Sequence, residues 1–170
     1  MINLSNIELP KFLESEFKVV CIKEIKLSKL RINVAGKSSK KIPNYLPIIK
    51  TPHYGFVNSY LYRRKEKPCL EFKNYHNYNK YNKHHLDTEK FKLFIDKINS
   101  EGFIQNNSKI ICIRSKYFLF NRSYDVLDGS HRLAILEALD YKYIDVALVI
   151  RKENLIFKIF SKINKYIKNG

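Results

Sequence analysis

A chain of 170 residues that is 45% hydrophobic and 14% aromatic can bury a core, which excludes a disordered polymer. No apolar run approaches the roughly 18–20 residues of a membrane-spanning helix, and the start, Met1 to Asn6, lacks the basic-then-apolar pattern of a secretory leader, so a cytoplasmic protein is expected. The net charge of +16 is the footprint of a nucleic-acid or anionic-membrane partner, yet most of the 32 basic residues are lysine in a chain also rich in Asn, Ile and Tyr, a bias that an AT-rich coding sequence gives without any ligand.

In chain order, Phe17 to Leu30 reads as a strand and a turn, with Val19-Val20-Cys21-Ile22 as its β-prone part. Val34 to Lys41 is a polar Gly/Ser/Lys loop whose spacing does not meet that of a phosphate-binding P-loop. Thr51-Pro52-His53-Tyr54 reads as a Pro-bounded loop, followed by a short helix over the aromatic-rich stretch Phe56 to Tyr62. Arg63-Arg64-Lys65 is a charge run that could meet an anionic substrate or simply face solvent. Asn74 to His85 is low in complexity, has no hydrophobic period and reads as an exposed loop; His76, His84 and His85 lack acidic or Cys partners at metal-ligand spacing. The three cysteines, Cys21, Cys69 and Cys112, form no CxxC pair, and Cys21 and Cys112 read as small buried hydrophobes.

Asp87 to Ser100 reads as a helix, capped by Thr88, with Phe91, Phe94, Ile95 and Ile98 on one face and Gly102 as its stop. Strands are expected at Lys109 to Arg114, at Tyr124 to Leu127 and at Tyr143 to Ile150, with a helix over His131 to Asp140 between the last two. A basic amphipathic helix is expected over Glu153 to Lys168, either packed on the domain or lying on an anionic membrane surface.

The candidate chemistry lies at Asp128-Gly129-Ser130-His131-Arg132, where a strand hands over to a helix. Gly129 permits a tight turn, and the unpaired N–H groups and macrodipole of the helix start attract anions. Arg132 can add a forked contact to phosphate oxygens and His131 a further hydrogen bond. Asp128 can cap the helix, hold a metal ion or accept a proton. Strand-to-helix junctions of this kind also arise from packing alone. His53 and Tyr54 are expected to line the acceptor side of the pocket, His53 as a candidate general base, since an imidazole titrates near neutral pH.

The run Val126 to Ala134, followed by Leu139 and Ile144-Asp145-Val146, resembles the ParB/sulfiredoxin superfamily, and the preceding helix and strand fit its arrangement. The resemblance covers residues 86–150, most specifically the motif region 109–150; it leaves 34–85 as a family-atypical insertion and 151–170 as a C-terminal helix. It implies an α/β (α+β) fold, a single domain with a small mixed sheet, and a nucleotide held by Gly129, Ser130, His131 and Arg132. Ser130 stands where sulfiredoxins have their attacking cysteine, so that chemistry is not implied. Asp-Gly-x-His-Arg is closest to the small-molecule kinases of the superfamily, although Lys29 to Asn33 lacks the glutamate that those kinases carry after the first strand. The stretch after Ile150 is short for the DNA-reading domain of a partition protein.

The sequence therefore leads us to expect a kinase. ATP, ADP or CTP would bind with Mg²⁺, Asp128 would act as catalytic group and metal ligand with His53 as a second catalytic group, and Tyr54, Arg63 and Arg64 would bind a hydroxyl-bearing small molecule, sugar or glycan. The alternative expectation is a nucleic-acid-binding or nucleotide-switched binding protein.

Overall fold

The computed structural model describes residues 7–34, 44–62, 74–78, 87–103, 109–115 and 123–152. Within them lies a six-stranded mixed sheet with helices against it. In chain order the elements are α1 (Lys11–Glu14), β1 (Phe17–Lys26), β2 (Leu30–Asn33), β3 (Tyr45–Pro47), α2 (Pro52–Tyr62), α3 (Thr88–Glu101), β4 (Ile110–Arg114), β5 (Tyr124–Asp128), α4 (Ser130–Ala138) and β6 (Tyr143–Arg151). Residues 74–78 add a short helical segment between α2 and α3.

The sheet runs β1-β6-β4-β5-β2-β3. The β5–β2 and β4–β6 pairs are parallel and the other three antiparallel. β4 and β5 sit centrally, so Asp128 leaves the sheet from its middle. The parallel pairing sets Ile32 against Val126, which brings the ends of β2 and β5 to the same edge.

Two bulges set which side chains face which layer. In β1 the register shifts between Val19 and Cys21, and the extra residue reverses the alternation. Phe17 and Val19 therefore join the cluster of Leu13, Ile111, Ala147 and Val149, whereas Ile25 joins the main core on the other face. In the β4–β5 pair a shift between Ile111 and Cys112 leaves Leu127 as the extra residue immediately before Asp128.

Helix α4 is apolar on nearly every side, as a central helix must be. Leu133 and Leu136 pack on the sheet with Ile110, Val126 and Val146, while Ala134, Ile135 and Ala138 pack against Phe56, Phe91, Ile95 and Ile98 of α2 and α3. Full burial of each leucine contributes roughly 1.5–3 kcal/mol, which holds the first turn of α4 against the sheet.

Strands β1, β4, β5 and β6 and helix α4 follow the sequence expectations closely, and the apolar face of α3 is as expected, whereas β2 and β3 lie where no strand is expected. Four further details differ. The α3 cap is Asp87, whose carboxylate accepts the Lys90 N–H at 2.8 Å, and Thr88 is the first helical residue. The expected loop at 51–54 is the start of α2: Thr51 Oγ1 accepts the Tyr54 N–H at 3.3 Å, and Pro52 occupies the first turn, where no N–H is needed. Asn74 to His85 is not an exposed loop throughout, because 74–78 is helical and Tyr75 is fully buried. Cys112 is buried but Cys21 only partly so. Arg63, Arg64, most of the Val34–Lys41 loop and the C-terminal helix expected from Glu153 lie outside the described residues. No described helix is long and apolar enough to cross a membrane.

Candidate phosphate site at the start of α4

Gly129 makes the turn between β5 and α4 with φ 100° and ψ 18°, in the left-handed region that favours glycine. The fit is tight as well as left-handed. A Cβ at this position would stand 2.8 Å from Ile110 Cγ1 and 3.2 Å from Arg132 Nη2. The Gly129 carbonyl accepts the Leu133 N–H at 3.0 Å, closing the first turn. As the N-cap, glycine has no side chain to offer, and no side-chain cap bond closes this end. The N–H groups at the start of α4, on Ser130, His131 and Arg132, have no acceptor within their own helix.

Arg132 folds back over this turn. Its Nη2 lies 3.0 Å from Asp128 Oδ2, with the arginine side chain 14% and the aspartate side chain 37% exposed. Burial lowers the guanidinium pKa and Asp128 pulls it back up, and the group remains cationic at neutral pH. The carboxylate is thus the more open member of the pair.

His131 lies in the first turn of α4 under an aromatic roof. Its Nε2 is 2.8 Å from the Tyr75 hydroxyl, and the rings of His53 and Phe91 meet it edge-on with centroids 4.7 Å away. His53 comes from the start of α2 and is 1% exposed. Tyr78 meets the His53 ring edge-on, with centroids 4.9 Å apart, and its hydroxyl donates to the Asn33 carbonyl at 3.4 Å, tying the roof to the end of β2. Burial pushes the Tyr78 phenol up to about 12.

The fold thus gathers Asp128, Gly129, Ser130, His131, Arg132 and His53. The burial of His53 sets it behind His131 rather than at an open acceptor surface. Tyr54 is directed elsewhere. It packs between the two cores, and its phenol is raised first by burial and then by Glu137 and Tyr62. Glu137 is six residues beyond His131, about 9 Å along the helix.

Tyr75 and Tyr78 belong to this group although the sequence around them leads us to expect a loop. Their spacing of three residues, with one face buried, is the helical signal that points to them. Among the described residues, no three His, Cys, Asp or Glu side chains converge as a metal site. A single carboxylate such as Asp128 still suits Mg²⁺, which takes one or two carboxylates together with phosphate oxygens and water. No protein-family model, no curated protein and no solved structure matches the chain.

Proposed function

We propose that this chain binds the phosphates of a nucleoside triphosphate at the start of α4 and transfers a phosphoryl group to a hydroxyl of a small molecule, sugar or glycan. The observation that carries the proposal is the Asp128–Arg132 pair spanning a left-handed glycine at a helix start. It sets a cation, a carboxylate and helix-start N–H donors within one turn. The likeness of Asp-Gly-Ser-His-Arg to the superfamily's small-molecule kinases supports the same reading.

The chemistry needs little beyond position and charge. The N–H groups of Ser130 to Arg132 and the Arg132 fork bind phosphate oxygens and oppose the charge that builds on them. The acceptor hydroxyl oxygen attacks the terminal phosphorus, and the bond from that phosphorus to its bridging oxygen breaks. The hydroxyl proton passes to the Asp128 carboxylate. Mg²⁺ bound with the nucleotide at Asp128 would supply further charge neutralisation. His53, being buried, supports His131 rather than acting as the base.

The test is transfer of labelled γ-phosphate from ATP or CTP to a panel of hydroxyl acceptors. Asp128→Asn should lower the transfer rate by about 10²-fold or more. A folded Asp128→Asn protein as active as wild type would overturn the assignment. The net charge of +16 favours a second reading, nucleic-acid binding. Tight, sequence-tolerant binding that survives about 0.2 M salt would favour that reading.

A further inference from the structure

The sequence offers no reason to link Tyr75 with His131, 56 residues away, yet the fold brings them to 2.8 Å. Tyr75 is itself firmly placed: it is 0% exposed and lies against Phe56 at 4.7 Å and Phe91 at 5.1 Å between ring centroids. Burial, with Tyr78 and Asp87 adding to it, raises its phenol well above the ordinary tyrosine value, so the hydroxyl keeps its proton at neutral pH. A buried O–H needs an acceptor, and a neutral imidazole has one on the nitrogen that carries no hydrogen.

We infer that Tyr75 is a positioning residue for His131, donating its hydroxyl hydrogen to Nε2 and so fixing both the direction of the ring and its Nδ1–H tautomer. The ring nitrogen facing Tyr75 sets the identity of the other, the arrangement by which second contacts commonly hold a working histidine. His53 and Phe91 confine the same ring edge-on from α2 and α3, so rotation about the side chain is opposed from those sides as well. A ligand arriving at the start of α4 meets an imidazole of one orientation and one protonation pattern, which lowers the ordering cost of binding.

The functional half of this inference rests on the phosphate site proposed above; the tautomer does not. Tyr75→Phe tests both, because phenylalanine keeps the packing on Phe56 and Phe91 and removes only the hydroxyl. Two-bond ¹⁵N–¹H spectra of the imidazoles, with His131 assigned from the signal lost in His131→Gln, should show Nδ1 protonated and Nε2 bare in the wild type. In Tyr75→Phe the proton should redistribute toward Nε2. A wild-type Nε2 that carries the proton, or a pattern unchanged in Tyr75→Phe, would overturn the inference.

In the second arm, Mg-ATP and inorganic tripolyphosphate are titrated into both proteins. Tyr75→Phe should bind each about three- to tenfold more weakly, the scale of one hydrogen bond. Equal affinities would overturn the functional half. A wild type that binds neither probe would defeat the phosphate site and leave the spectra to judge Tyr75 alone.

Discussion

The guanidinium of Arg132 reaches back 3.0 Å to the carboxylate of Asp128 and lies across the glycine that joins strand to helix. Arg132 is the more buried member, so its removal loses both the contact and the packing of its stem, while the more open Asp128 stays in reach of water. Arg132→Ala is expected to destabilise the fold by about 1–2 kcal/mol. A double-mutant cycle with Asp128→Asn, measured by urea unfolding, should give a coupling of about 0.5–1.5 kcal/mol. Strictly additive effects would mean that the contact contributes nothing.

Gly129 and Gly102 both have positive φ but differ in their surroundings. Gly102 (φ 76°) has no atom of the described residues within 4 Å of where a methyl group would stand, so alanine there meets chiefly backbone strain, about 1–3 kcal/mol. Gly129→Ala adds a collision with Ile110 from the packed centre of the sheet, typically a further 1–3 kcal/mol or so. Denaturant midpoints should rank wild type highest, then Gly102→Ala, then Gly129→Ala.

Two aspartates should shape the acid limb in opposite senses. At the α3 cap, the Asp87 carboxylate is held below its ordinary pKa by the Lys90 backbone N–H and then by the Lys90 side chain. The native state then binds this proton less tightly than the unfolded state. Its stabilisation is complete above the unfolded value of about 4 and is lost as pH falls through the lower folded value. Burial raises Asp125 on β5, against the pull of the Ser115 hydrogen bond and the Arg31 charge. Its native state binds the proton more tightly, so stability falls as pH rises from the unfolded value through the raised folded one. Urea unfolding over a pH series should show Asp87→Asn with a flatter loss toward acid. Asp125→Asn should gain on the wild type as pH rises.

Cys112 lies in the core on β4 with 0% exposure, and burial, with Asp125 adding to it, pushes its thiol well above the usual range. Since the thiolate is the reactive form, iodoacetamide should label Cys112 only as fast as the protein opens. Peptide mass spectrometry with and without urea reads this directly. Rapid labelling of the native chain would contradict the packing around β4.

Strands β1, β4, β5 and β6 and helices α3 and α4 are legible in the sequence because their patterns are local, whereas β2 and β3 are too short to show a period. Ile110 to Ile113 is a continuous apolar run suited to a central strand, and Phe91, Ile95 and Ile98 repeat at the helical period. The strand–Gly–helix junction is legible for the same reason. What escapes is non-local or masked by composition. The β1 bulge at Val20 reverses the faces of a strand whose sequence looks uniform, and only pairing with β6 reveals it. Tyr75 and Tyr78 sit among Asn, His and Lys, whose polarity outweighs two aromatics at helical spacing. Thr51-Pro52 reads as a loop because proline punctuates chains, although the same pair also opens a helix. The burial of His53 behind His131 depends on α2, α3 and the 74–78 segment meeting in space, which no window of sequence contains.

Nucleotide binding at the start of α4 is the central claim, and calorimetric titration of ATP, ADP and CTP with Mg²⁺ tests it most directly. The titrations should be made on the wild type and on Arg132→Lys, which keeps the charge and loses the fork. Saturable binding of at least one triphosphate by the wild type is expected, weakened about tenfold or more in folded Arg132→Lys. Folded wild-type protein that takes up none of the three nucleotides would contradict the phosphate site and the transfer chemistry built on it.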